Sequence, residues 1–225
     1  DINKAKTNEN IKGVLLIVNS PGGAVAPSVE LTYAIKELTK IKPVVAYASG
    51  IMASGSYYAS IYADRIFANP GSMVGSIGVI FQGANFEELM QKIGVKTQTV
   101  KVGKYKEAGT PTRVWNEYEK EELDKVINDT YDMFVSDVAK ARKLKKEDHE
   151  VYADAHIFTA RQAQEVGLID EVSTISKAKD FLIKVSKVDE ARWQQEDKFE
   201  AFMDKILKEV VSQFSITFSN GLKAY

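Results

Sequence analysis

Residues 14–23 read V-L-L-I-V-N-S-P-G-G. Five apolar residues without alternation are the pattern of a strand buried on both faces of a sheet. Asn-Ser-Pro-Gly-Gly then stops the strand in a turn. A helical pattern follows over residues 27–40, with Val29, Tyr33, Ile35 and Leu38 among its apolar positions. Pro43 restarts the cycle with V-V-A-Y-A, a second buried strand that runs into G-I-M-A-S-G-S-Y-Y-A-S at 50–60. A helix is expected there over 53–62, and D-R-I-F-A-N-P-G at 64–71 adds a strand and a turn. Strands alternating with helices at this spacing predict βαβ units and a mostly parallel sheet covered by helices.

Further along, residues 77–81 and 95–102 read as strands on either side of a helix at 86–93. Residues 117–143 carry a long helical pattern. His156-Ile157-Phe158 reads as a short strand, 160–166 as a helix and 168–170 as another short strand. From Phe199 to Phe214 apolar residues recur every three or four positions, which predicts an amphipathic helix packed on the core or on a neighbouring subunit.

Composition narrows the function classes. The 225 residues contain 30 Lys and Arg against 31 Asp and Glu, so no global field draws nucleic acid or an anionic membrane. The absence of cysteine removes thiol catalysis and zinc-thiolate sites. No apolar run approaches the length of a membrane span. The chain opens D-I-N-K without Met, which suggests a cut or processed fragment.

Two turns after strands of the same sheet are candidates for chemistry. The carboxyl end of a parallel strand is where α/β folds place ligands. Gly22 and Gly23 end the first strand, and glycine lets backbone N–H groups approach an incoming oxygen. Ser54 ends the second, at the start of a helix, with Gly55 behind it. Taken alone, the first is a common Pro-Gly turn and Ser54 a preferred helix cap. Taken together, they can set the N–H of Gly22 or Gly23 opposite that of Gly55, which is an oxyanion hole.

The base is harder to choose. His149 follows a charged, solvated stretch, and no carboxylate pattern singles out His156, so a Ser-His-Asp triad has little support. K-V-G-K-Y-K-E-A-G-T-P (101–111) offers Lys101, Lys104 and Lys106. A lysine starts from an ordinary pKa of about 10.4, so deprotonation at pH 7 costs roughly 4–5 kcal/mol. Burial must remove most of that cost, with a hydroxyl to orient the amine. Ser72 or Ser76, in P-G-S-M-V-G-S-I-G, can supply it.

N-S-P-G-G, M-A-S-G-S-Y-Y, G-S-I-G-V, Y-K-E-A-G-T-P and D-A-H-I-F-T-A-R-Q-A-Q-E-V-G-L-I-D-E-V occur in that order between residues 11 and 175. In combination they resemble bacterial signal peptide peptidase A. The resemblance implies an α/β fold, a repeated βαβ spiral of Clp-protease/crotonase type with C-terminal helices. It divides the chain into a catalytic domain at 1–175 and a helical extension at 176–225. It implies a serine endopeptidase that degrades cleaved signal peptides and similar apolar extended peptides, without cofactor or metal. By the same resemblance Ser54 is the nucleophile, Lys106 the general base, Ser76 the hydroxyl that positions the amine, and Gly22 or Gly23 with Gly55 the oxyanion hole. The family further implies a homo-oligomeric ring, an octamer, with each dyad shared between adjacent subunits. It also implies a single-pass anchor, absent from this sequence, that holds the catalytic domain on the extracytoplasmic side of a bacterial membrane. Two alternatives remain at this point. One is a crotonase-like acyl-CoA hydratase or thioesterase, and the other an inactive assembly scaffold.

Overall fold

The computed structural model of the chain describes residues 2–193. The amphipathic pattern from Phe199 and the last segment of the chain lie outside them. The elements run α1 (Ile2–Thr7), β1 (Val14–Ser20), α2 (Val25–Thr39), β2 (Val44–Ala53), α3 (Gly55–Ser60), β3 (Arg65–Ala68), β4 (Met73–Gly75), α4 (Glu87–Lys92) and α5 (Glu117–Arg142). After a short 3-10 turn come α6 (His149–Tyr152), β5 (Ile157–Thr159), α7 (Ala160–Glu165), β6 (Glu171–Val172) and α8 (Ile175–Ser186).

The ten-residue β2 organises the sheet. It pairs in parallel with β1 from Val14↔Val44 to Ser20↔Met52. Its first half also pairs with β3, and its second half pairs with β4. β6 lies parallel to β3, and β5 closes the other side antiparallel to β4. Val44, Val45, Ala46 and Ala48 are fully buried because both faces of β2 are covered. Val44, Ala46, Ala48 and Met52 share one core with Ile35 and Leu38 of α2, Tyr57 of α3 and Phe134, Val135 and Val138 of α5. Val45 and Tyr47 face a smaller core with Phe67 and with Ala178 and Leu182 of α8. The expected boundary at residue 175 thus coincides with the first residue of a helix that packs on this sheet.

Two expectations need correction. The apolar run of β1 predicts burial on both faces, yet Val14, Leu15, Leu16 and Val18 are half-buried and Ile17 is exposed. An unbroken apolar run does not tell whether a second strand flanks it, and β1 pairs with β2 alone among the described residues. Residues 77–81 and 95–102 form no strand among the described residues, although the helix between them is present as α4. Strands need backbone partners; Ile77 is buried and its carbonyl accepts from Ala155 N–H (2.9 Å), but Ile80 and Val102 are 80% and 94% exposed.

The long α5 is unevenly used. Phe134, Val135, Val138 and Ala139, in its carboxyl half, are buried, while the one buried residue of its amino half is Glu119. Asn116 and Glu119 form a capping box at its start, which satisfies free N–H groups of the first turn.

Candidate active site

Ser54 is the single residue between β2 and α3. Its backbone takes φ 51° and ψ −126°, a conformation that costs a non-glycine residue about 1–3 kcal/mol and persists only where its surroundings impose it. They do so from both sides. Ser54 N–H donates to the Gly75 carbonyl (2.8 Å), and its own carbonyl accepts from Tyr58 N–H (2.9 Å). The capping alternative fails, because the Ser54 side chain makes no cap hydrogen bond. Its hydroxyl is left for other use.

Ser56, to which the sequence assigns no role, ties the two turns together. Its Oγ accepts from Ala53 N–H (2.9 Å) and donates to the Ser20 carbonyl (2.7 Å) at the end of β1. The β1 turn is thereby drawn onto the β2 turn. A Cβ added to Gly22, at φ 105°, would lie 2.7 Å from the Gly55 nitrogen and 2.8 Å from Ser54 Cβ. Only glycine fits there. Gly22→Ala is expected to lower unfolding free energy by more than about 1 kcal/mol, measured by urea denaturation, because the new methyl meets backbone at a strained φ. Unchanged stability would show that the two turns do not approach each other so closely.

The two glycines of the first turn are not equivalent. Gly22 N–H donates to Ser20 Oγ (3.2 Å). Gly23 N–H and Gly55 N–H have no acceptor among the described residues. A Cβ on Gly55 would come within 3.3 Å of the Gly23 nitrogen, so these amides adjoin each other beside Ser54. Chemically, two free N–H donors next to an unbonded hydroxyl can hold a developing oxyanion while the hydroxyl attacks.

Ser76 follows Gly75, which pairs with Ala53 immediately before Ser54. Its φ is 49°, and its N–H donates to the His156 carbonyl (2.7 Å). Ser72, the other candidate, is buried and donates its hydroxyl to the Ala48 carbonyl (2.8 Å), so it belongs to the sheet. Neither histidine makes a hydrogen bond to Ser54. His149 Nδ1 bonds Tyr131 Oη (3.1 Å), and the exposed His156 ring lies against Phe158.

Lys106 is not joined to these residues in the single chain. It sits exposed in the turn before α5, where its N–H donates to the Gly103 carbonyl (3.3 Å). Its neighbour Glu107 accepts from Lys101 and from Arg113 Nη2 (3.0 Å), and these cations hold its carboxyl down to about 2. Arg113 also forks onto buried Glu119 (2.7 and 2.8 Å). That fork and the Asn116 N–H lower Glu119 to about 2 as well.

Behind the serine, burial and Asp137 raise the Tyr58 hydroxyl far above its ordinary range. Tyr58 Oη donates to Asp137 (2.6 Å), and its ring stacks on Phe134, which fastens α3 to the carboxyl half of α5. A cleft of about 330 Å³ lined by Lys40, Pro43, Asp64 and Phe181 lies at the other end of β2, away from Ser54. Among the described residues no helix is long and apolar enough to cross a membrane.

A spiral α/β fold of Clp-protease/crotonase type, with a serine at the turn out of its central strand and free amides beside it, defines a class. The same fold occurs in the 1510-N membrane-bound stomatin-specific protease in complex with a substrate peptide. That match has a TM-score of 0.52 at 17% identity, covering 82% of this chain and 69% of that one. The family follows from sequence. The profile of peptidase family S49 matches residues 36–189, and the chain belongs to that family. A putative protease of Methanocaldococcus jannaschii is 45% identical over 181 residues, which are 80% of this chain and 58% of the relative. A putative signal peptide peptidase SppA of Enterococcus faecium is 37% identical over 194 residues, 84% of this chain and 56% of the relative. The chain thus spans little more than half the length of these relatives.

Proposed function

We propose that this chain is the catalytic part of a serine endopeptidase of the signal peptide peptidase A kind, acting on apolar, extended peptides such as cleaved signal peptides. The observation that carries the reading is Ser54 itself: a strained backbone, a hydroxyl used by no cap, and the free N–H groups of Gly23 and Gly55 adjoining it. Neutral Lys106 takes the Ser54 proton as Oγ adds to the peptide carbonyl, and the two amides hold the resulting oxyanion. The tetrahedral centre collapses, the C–N bond breaks, and the Lys106 ammonium protonates the leaving amine. Water, deprotonated by the same lysine, then hydrolyses the acyl-enzyme and restores Ser54. Ser76 orients the amine.

The exposure of Lys106 bears on where it acts. A lysine base requires burial, and the single chain leaves Lys106 in solvent. The contacts that α5 makes on the two sides also lie far apart. Its residue Glu119 anchors the network beside Lys106, whereas Asp137 bonds the helix that begins at Ser54. Eighteen residues of helix between them span about 27 Å at 1.5 Å per residue. We therefore assign the burial of Lys106 to a second copy of the chain, each copy lending its lysine to its neighbour in a closed ring. The apolar side chains exposed at Ile80, Val100 and Val102 supply contact surface for such an assembly. By the same reading the catalytic domain works on the extracytoplasmic side of a bacterial membrane, held there by a single-pass anchor.

The test offers the purified protein an apolar signal-peptide segment and, separately, an acyl-CoA. Hydrolysis of the peptide with no binding of CoA in a titration is the expected result. An intact peptide with acyl-CoA consumed would move the chain to the crotonase-like alternative.

A further inference from the structure

We propose that Glu107, Arg113 and Glu119 are positioning residues that hold the turn carrying the Lys106 amine in its working direction. The inference rests on the assignment of Lys106 as general base.

The turn is tied to α5 on one side of the lysine by the Tyr105 ring, which meets Tyr118 edge-on. Its hydrogen bonds are short-range, from Lys106 N–H to Gly103, Ala108 N–H to Tyr105 and Thr110 N–H to Glu107. The residues leading into it expose their side chains, with Val100 and Val102 almost wholly in solvent. Its other link to the folded body is ionic and runs through Glu107, on the far side of the lysine. Glu107 accepts from Arg113 Nη2 at 3.0 Å, and both amino groups of Arg113 reach Glu119 at 2.7 and 2.8 Å. Glu119 is fully buried, and its carboxylate also receives Asn116 N–H at 2.9 Å. A rigid chain of charge-assisted bonds therefore runs from the first turn of α5 to the residue adjoining Lys106.

Stability alone does not account for this arrangement. A buried ion pair rarely beats well-packed apolar side chains of the same volume. Here the buried charge lies in the half of α5 that buries no apolar residue. What an arginine fork adds is direction, since two parallel N–H bonds fix the relative orientation of the groups they join. A general base needs that direction. A misplacement of about 1 Å can cost on the order of 100-fold in rate.

The experiment measures kcat and KM of the full protein on a fluorogenic signal-peptide substrate, with melting curves for every variant. Glu107→Gln removes one charge of the chain, and Arg113→Lys keeps the charge but loses the fork. Each is expected to lower kcat by about 10- to 100-fold with KM within about twofold, since the base acts in the chemical step. Arg142→Lys serves as control, because Arg142 makes a comparable fork onto Asp170 (2.9 and 3.1 Å) elsewhere in the fold. Wild-type kcat in the folded variants overturns the inference, and so does an equal fall in the control. Should Arg113→Lys not fold, Glu107→Gln, at the outer end of the chain of bonds, decides alone. A fully active Lys106→Ala removes the base assignment and this inference with it. An inactive Lys106→Ala beside a wild-type-like Glu107→Gln removes only the positioning role.

Discussion

Ser54→Ala and Lys106→Ala are each expected to reduce peptide turnover by roughly four to six orders of magnitude, because residues of a nucleophile–base pair act as one unit. The double variant is expected to lose no more than either single one, for the same reason. Neither substitution should harm the fold. The Ser54 hydroxyl makes no cap bond, and its backbone is held through Gly75 and Tyr58 rather than through its side chain. Alanine at position 54 keeps the positive φ at a cost similar to that of serine. Lys106 is exposed in the single chain, so its truncation leaves no cavity in the fold. Melting curves close to wild type are therefore part of the expected result. Turnover within tenfold of wild type in either variant would refute the dyad.

The parts of this architecture that a sequence can disclose are those that one chain builds for itself. V-V-A-Y-A reads as a buried strand because both its faces meet apolar layers. The Ser54 turn was legible because a strand end, a small-residue crowd and a helix start fall together there. The choice between Gly22 and Gly23 was not, since it depends on Ser20 Oγ taking the Gly22 N–H, a contact that leaves no pattern in sequence. Ser56 was passed over for a similar reason. Its bridge from Ala53 to Ser20 joins residues 33 apart, and a serine in a helical first turn looks ordinary. Residues 77–81 and 95–102 carry a strand pattern in apolar spacing, yet no strand pairs with them among the described residues. Periodicity reports which side chains want burial, and cannot tell whether the partner is the same molecule. Lys106 belongs to the same problem, because no local feature distinguishes it from Lys101 or Lys104. Family resemblance singled it out. The structure adds that its neighbour Glu107 is tied through Arg113 to a buried carboxylate.

The second large effect concerns completion of the site by another copy. If each site takes Ser54 from one chain and Lys106 from the next around a ring, two dead proteins can repair each other. In an equal, randomly assembled mixture of Ser54→Ala and Lys106→Ala chains, a site works when a chain with intact Ser54 adjoins one with intact Lys106. In a head-to-tail ring this holds for about a quarter of the sites. The gain over either parent alone is several orders of magnitude, so residual activity of the parents cannot imitate it. Unfolding and refolding the two proteins together, then assaying signal-peptide cleavage, is the most direct measurement. The account predicts recovery of about a quarter of wild-type turnover. A co-refolded mixture that assembles normally and stays as inactive as its parents would contradict it, and would return Lys106 to the serine of its own chain.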